Sequence, residues 1–153
     1  MKQYLTLRNV LKCGALVLAI VAFCMMFGNQ LSYTLLGEKY EIAYNDALFG
    51  EGGAIISFVG YLLILIGGLV GGLLILLKTS ENIKKYVTLG VAALIILGAV
   101  FVFIEAAVFK TTIMGTEIAD KLTAFPIVGG VLGILAAAAL GASEFVPDMQ
   151  LVK

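Results

Sequence analysis

Residues 53–77 read GAIISFVGYLLILIGGLVGGLLILL and carry no charged side chain. A helix of about 20 mainly apolar residues is long enough to cross the hydrocarbon core of a bilayer. Three other stretches of the chain are also mainly apolar and of similar length. The predicted spans are therefore residues 11–28, 53–77, 87–109 and 125–142. The predicted fold is therefore an all-α integral membrane protein. It is a bundle of four transmembrane helices that forms a single domain over residues 1–153.

The composition agrees with a membrane protein and disfavours several functions. Hydrophobic residues make up 61% of the chain and charged residues 13%, against about 45–50% and about 25% in soluble domains. The formal net charge is zero, which gives no reason to expect nucleic acid as a partner. Histidine is absent, and with it the commonest metal ligand and a frequent general base. Without a catalytic motif in the sequence, we expect no enzyme activity, no cofactor and no metal site.

The basic residues of the short loops predict the orientation. Lysine and arginine concentrate on the cytoplasmic side of membrane proteins. Here they cluster before and at the start of the first span and between the second and third spans: Lys2, Arg8, Lys12, Lys78, Lys84 and Lys85. Both termini are therefore predicted to be cytoplasmic, with the acidic loop 29–52 outside. The short loops favour a plasma membrane, specifically a bacterial inner membrane.

Glycine-rich faces are a second feature of the predicted spans. Small residues spaced by four let membrane helices approach closely, as in the GxxxG motif. The second and fourth spans carry such faces, formed by Gly60, Gly67, Gly68, Gly71, Gly72, Gly129, Gly133, Ala137 and Gly141. Two interpretations stay open: these faces pack the helices of one chain together, or one face of the second span contacts another copy.

The first outer loop, residues 29–52, has the pattern of a short β-hairpin. SYTLL and the alternating YEIAY flank GEK, which predicts two strands joined by a three-residue turn. An amphipathic helix through Tyr33, Leu36, Tyr40 and Tyr44 is the alternative. These tyrosines and Glu41 are expected to rest at the membrane interface, to form a docking surface, or to line an acidic pore vestibule.

The layout resembles that of the claudin and peripheral-myelin tetraspans: four spans, inside termini and a longer first outer loop with strands. Those families carry a tryptophan and paired cysteines in that loop, and residues 29–52 contain neither. The resemblance therefore implies a shared architecture only, since function does not follow from fold.

Glu105 is the acid within the predicted third span. An acid inside a membrane span is a functional hypothesis by default. Lys110 lies five residues further on, so Glu105 is expected near the outer end of its helix. Its side chain either extends to the interface or hydrogen-bonds to a neighbouring helix, or it serves an ion, a proton or a pore.

These patterns lead to three functional hypotheses. The first is a small, non-enzymatic tetraspan whose small-residue faces assemble it with itself or with a larger membrane protein. The second is an oligomeric channel with an acidic outer vestibule. The third is a small proton-coupled transporter that uses Glu105. In each, the lipid bilayer is the surrounding partner.

Overall fold

The structure is a computed structural model that describes residues 6–49, 54–77, 80–105, 111–113, 116–118 and 121–146. Its elements, in chain order, are α1 (Leu7–Cys24), a 3-10 turn (Met25–Phe27), β1 (Asn29–Leu35), β2 (Glu38–Ala43), α2 (Tyr44–Phe49), α3 (Ile55–Leu73), α4 (Glu81–Phe103), β3 (Thr111–Ile113), β4 (Thr116–Ile118), β5 (Lys121–Leu122) and α5 (Ala124–Ser143).

Four of these helices, namely α1, α3, α4 and α5, are long and apolar enough to cross a membrane. By composition the chain is thus a multi-pass membrane protein. The third helix is shifted from its prediction, because α4 runs from Glu81 to Phe103 rather than over residues 87–109. The polar start of α4 is held by Ser80, whose hydroxyl accepts a hydrogen bond from the Ile83 amide at 3.4 Å. Hydropathy does not register such an N-cap.

Each long helix packs mainly against two others. Helix α3 lies against α1 and α4, and α5 also lies against α1 and α4. Large apolar side chains fill the space between them, with Tyr61, Ile64, Ile95 and Leu140 fully buried. On the other side, the helices present large apolar residues outward, among them Ile66, Leu69, Leu94, Val131 and Leu135. This distribution suits a surface that meets lipid.

The loop between α1 and α3 forms the predicted β-hairpin, and the alternative of an amphipathic helix through its tyrosines is wrong. β1 and β2 pair antiparallel with Tyr33 opposite Tyr40, and β5 joins the other side of β1, giving the strand order β2-β1-β5. The turn has two residues rather than three. Leu36 and Gly37 both have positive φ, 53° and 85°, which produces the twist that tight hairpins need.

The loop between α4 and α5 also contains strands, which the sequence pattern did not predict. β3 and β4 form a separate antiparallel pair, with Thr112 opposite Glu117. Strand β5 pairs with the middle of β1, with Leu31 opposite Leu122. The loop between α1 and α3 and the loop between α4 and α5 are thereby joined through one sheet.

Candidate functional site

A buried polar cluster lies where β1 meets the ends of α3 and α4. We call Gln30, Ser57, Tyr61 and Glu105 the Glu105 cluster; all four are fully buried. Ser57 and Tyr61 are one turn apart on α3, so they share a helix face. Glu105 follows the last residue of α4 by two positions, and Gln30 comes from β1. The cluster therefore combines three separate elements.

Gln30 fixes the orientation of the cluster. Its side-chain nitrogen donates to the main-chain oxygens of Met25 at 3.0 Å, Met26 at 2.9 Å and Gly28 at 3.1 Å. These carbonyls belong to the end of the α1 region, where helix carbonyls lack intrahelical partners. The amide oxygen is then directed at Tyr61, whose hydroxyl donates to it at 2.9 Å.

Glu105 is enclosed by the protein, with an exposed fraction of 0%. Ser57 lies close enough to interact with its carboxyl group, yet the Ser57 hydroxyl donates to the main-chain oxygen of Phe101 at 3.0 Å. Glu105 also interacts electrostatically with Tyr61. Within the described residues, neither carboxyl oxygen has a hydrogen bond of normal geometry, and Ser57 is the hydroxyl that comes within reach. Such a buried, unpaired carboxyl is unfavourable and requires an explanation.

The basic side chains for which a partner is observed pair with groups other than Glu105. Arg8 pairs with Glu81 at 3.0 Å, and Lys39 lies 3.7 Å from Glu41. Lys85 lies 5.5 Å from the centre of the Phe145 ring. Lys110, which the sequence placed one turn beyond Glu105, falls outside the described residues. In the part of the chain that is described, no protein cation is seen to balance Glu105.

A buried ion pair joins α1 to the end of α5. Lys12 Nζ lies 3.2 Å from a carboxyl oxygen of Glu144, and each side chain is only 4% exposed. That oxygen makes no hydrogen bond of normal geometry, so the contact is an ion pair by distance. The sequence places Lys12 among the basic residues at the start of the first span, but its pattern did not single out Glu144. Its signal was an acid directly after an apolar helix.

The two glycine faces of α3 are both occupied within the chain. A Cβ atom added at Gly67 would lie 2.5 Å from Ile95 of α4, and one at Gly71 would lie 2.7 Å from Leu140 of α5. On the other face, a Cβ at Gly68 would lie 2.3 Å from Ala19, and Gly72 packs on Leu16. Because α3 has neighbours on both faces, these glycines supply no open surface for a second copy.

The small residues of α5 also pack against other helices of the same chain, except at the end of α5. Gly129 faces Tyr61 and Gly133 faces Ile64, with added Cβ atoms at 3.1 and 2.9 Å. Ala137 is 3% exposed. At Gly141 an added Cβ meets no atom within 4 Å. Three of the four predicted positions therefore contribute to packing inside the chain.

The sequence missed one glycine contact. An added Cβ at Gly60 would lie 2.5 Å from the Gly98 oxygen, and one at Gly98 would lie 2.6 Å from the Gly60 oxygen. α3 and α4 therefore cross at these two residues. The third predicted span offered no small-residue stripe that would have singled out Gly98.

The three tyrosines and Glu41 that the sequence singled out in residues 29–52 lie on and beside the hairpin. The rings of Tyr33 and Tyr40 stack with centroids 5.4 Å apart, and Tyr44 makes an edge contact with Phe27 at 5.3 Å. Glu41 accepts a hydrogen bond from the Asn29 side chain. Residues 38–41 of β2 are exposed, and among the described strands none pairs with the outer edge of β2.

Comparison of the chain with protein-family models, curated proteins and solved structures finds no match. The function is therefore argued from the chain's own geometry.

Proposed function

We propose that the protein is a non-enzymatic membrane scaffold that assembles with a second copy of itself through strand β2. In this proposal the four long helices form a bundle across a bacterial plasma membrane, with both termini in the cytoplasm and the hairpin outside. The exposed outer edge of β2 is the observation that supports it. A free strand edge is a template for pairing with another strand.

The hairpin register determines which β2 residues offer free main-chain groups. In a hairpin closed by a two-residue turn, the residues that flank the turn form a hydrogen-bonded pair. Here that pair is Leu35 and Glu38, and Tyr33 and Tyr40 form the next one. Since hydrogen-bonded and non-hydrogen-bonded pairs alternate, the amides and carbonyls of Lys39 and Glu41 point to the outer edge.

The charges on that edge select one register for two antiparallel copies of β2. Centring the two-fold axis on Tyr40 places Lys39 of each copy opposite Glu41 of the other, a favourable cross-strand pair. Shifting the centre to residue 39 or residue 41 places like charges opposite each other, which is unfavourable. The Tyr40 centre also brings two tyrosine pairs side by side. The interface is isologous, as expected of a dimer.

The axis of such a pair is perpendicular to the sheet, so two copies in one membrane require the sheet to lie across the helix ends. The contacts of β1 support this arrangement. Gln30 bonds to the end of the α1 region, and its main-chain oxygen accepts from Thr123, the residue before α5.

Disulfide cross-linking in nanodiscs tests this interface. In a chain with Cys13→Ser and Cys24→Ser, Tyr40→Cys places two thiols opposite each other at the proposed axis. Mild oxidation should convert most of the protein to a covalent dimer. Thr34→Cys is the matched control, because Thr34 is an exposed residue of β1, away from the proposed axis. Equal cross-linking of both variants, or none of Tyr40→Cys, would exclude this interface.

A charge exchange tests the register separately. Lys39→Glu should weaken the dimer by placing like charges opposite each other, and Lys39→Glu combined with Glu41→Lys should restore it. The measurement is the dimer fraction by native mass spectrometry. A double variant no better than the single one would contradict the register.

A second function, cation-coupled transport, is favoured by the buried and unpaired carboxyl of Glu105. The test is uptake driven by an ion gradient in proteoliposomes, with Glu105→Gln expected to abolish it. The third hypothesis, a channel, would require a pore between copies, because buried side chains such as Ile64 and Ile95 fill the space between the helices.

A further inference from the structure

The Glu105 cluster presents oxygen lone pairs to a buried carboxyl. The Gln30 nitrogen donates to three carbonyls, so its amide oxygen faces Tyr61 and the Tyr61 hydroxyl must donate its only proton there. The Ser57 hydroxyl likewise donates its proton to the Phe101 carbonyl. The Tyr61 proton therefore points away from Glu105, whereas the Ser57 hydroxyl lies within reach of both the Phe101 carbonyl and the Glu105 carboxyl. Both hydroxyl oxygens keep lone pairs for another partner.

This arrangement is unsuited to a bare carboxylate and suited to a cation. A buried carboxylate without a counter-charge carries a large desolvation penalty, and no counter-charge is seen in the described part of the chain. A proton or a bound cation would supply the missing positive charge. The oxygen lone pairs beside Glu105 would contact a bound cation directly, so the two ions are expected to compete for this site.

The donor set also indicates which cation fits. The candidate ligands are the Glu105 carboxyl, the Ser57 and Tyr61 hydroxyls and the Phe101 carbonyl that bonds to Ser57. All of them offer oxygen, which hard cations prefer. The cluster has a single acid, and the described residues contain no group of three or more histidine, cysteine or acidic side chains that could hold a metal. One negative charge and neutral oxygens match a monovalent ion better than a divalent one.

We propose that Glu105, together with Ser57, Tyr61 and the Phe101 carbonyl, binds one Na⁺ in competition with a proton. This site is independent of the proposed β2 assembly, and it would supply the coupling ion for the second candidate function. Tyr61 is the other titratable side chain shown to interact with Glu105 in the described part of the chain. Its proton is committed to Gln30.

Carbodiimide labelling of the full-length protein in detergent tests the site. Dicyclohexylcarbodiimide reacts with protonated carboxyls in apolar surroundings, and the modified residue is identified by mass spectrometry. Glu105 should be labelled in choline chloride buffer, and NaCl should slow the labelling at least tenfold, whereas equal KCl should not. Glu105→Gln should lose the label and Glu41→Gln should keep it.

Two outcomes would overturn the proposal. Labelling of Glu105 that depends on pH but is equal in Na⁺ and choline would show a proton site only. Absence of labelling under every condition, with the Glu105 peptide detected, would show a carboxyl that no ion reaches.

A pair of hydroxyl variants separates binding from general stability. Ser57→Ala removes a proposed ligand and should raise the NaCl concentration for half-protection at least tenfold without changing labelling in choline. Thr88→Ala is the matched control, because Thr88 is an equally buried hydroxyl on α4 that donates to the Lys84 carbonyl at 2.7 Å. Equal effects of the two variants would contradict the ligand role of Ser57.

If Ser57→Ala does not fold, calorimetric titration of the unmodified protein with NaCl in choline buffer decides the question. Heat of binding that Glu105→Gln abolishes would support the site, and no heat at all would exclude it.

Discussion

At the residue scale, Gly60 and Gly98 determine how closely α3 and α4 can pack. Gly60→Ala would place its Cβ 2.5 Å from the Gly98 carbonyl oxygen, a backbone atom that cannot rotate away. We expect the helices to separate, with a loss of about 1–3 kcal/mol in stability, the usual range for overpacking. Thermal unfolding in a mild detergent measures the change.

Gly90→Ala on α4, the helix that Gly60 packs against, is the matched control, because its added Cβ meets no atom within 4 Å. Alanine there should leave the melting temperature unchanged or raise it, since glycine in a helix interior is less favourable by about 1 kcal/mol. A melting temperature lowered equally by both variants would show that helix crossing at Gly60 is unimportant.

Leu36 is a second residue whose conformation makes a prediction. It has φ of 53°, a region that disfavours residues with a Cβ by about 1–2 kcal/mol, and its side chain is 97% exposed. Leu36→Asn should stabilise the hairpin by about 1 kcal/mol, because Asn tolerates this region in tight turns. Gly37→Ala, at φ of 85°, should do the opposite. Hydrogen exchange of the β1 and β2 amides measures both, and changes of the same sign would contradict the turn assignment.

At the element scale, the buried pair of Lys12 and Glu144 fastens α1 to the end of α5. Lys12→Met alone leaves the Glu144 carboxyl buried without its partner, which should destabilise the protein by about 3–5 kcal/mol. Adding Glu144→Gln removes the unpaired charge and should recover most of that loss. Chemical unfolding followed by circular dichroism measures each step of this cycle.

Arg8→Ala provides the comparison for that cycle. It breaks the pair with Glu81, whose side chain is 75% exposed, and exposed pairs contribute only about 0–1 kcal/mol. A Lys12→Met effect no larger than the Arg8→Ala effect would mean that the α1–α5 pair is not buried in the membrane protein.

Elements were predictable from the sequence to the degree that local chemistry determines them. Hydropathy identified α1, α3, α4 and α5, and alternation in YEIAY identified the hairpin. The shifted start of α4 depends on the cap at Ser80, and the two-residue turn depends on φ values that no residue preference at Leu36 indicated. Strand β5 is two residues long, too short for any periodicity, and exists because β1 offers an edge.

At the scale of the whole molecule, contacts between distant segments could not be predicted. Glu105 was singled out as an acid in an apolar run, but its neighbours Ser57, Tyr61 and Gln30 come from other elements. Gln30 in particular looked like an ordinary loop residue. The roles of the α3 glycines were left open between internal packing and a second copy, and only the arrangement of three neighbouring helices places them inside.

The orientation of the whole molecule follows from where its charges lie. Arg8 and Lys12 are on the first half of α1, and Lys84 and Lys85 are on the first turns of α4, so one end of the helices is basic and should be cytoplasmic. The hairpin is then predicted to face outside. In a chain with Cys13→Ser and Cys24→Ser, Leu36→Cys should react with a membrane-impermeant maleimide in intact cells. Phe145→Cys, at the end of α5 and 72% exposed, should react only after permeabilisation. The reverse labelling pattern would contradict this orientation. It would place the Glu105 cluster near the cytoplasm, and any Na⁺ bound there would then enter from the cytoplasmic side.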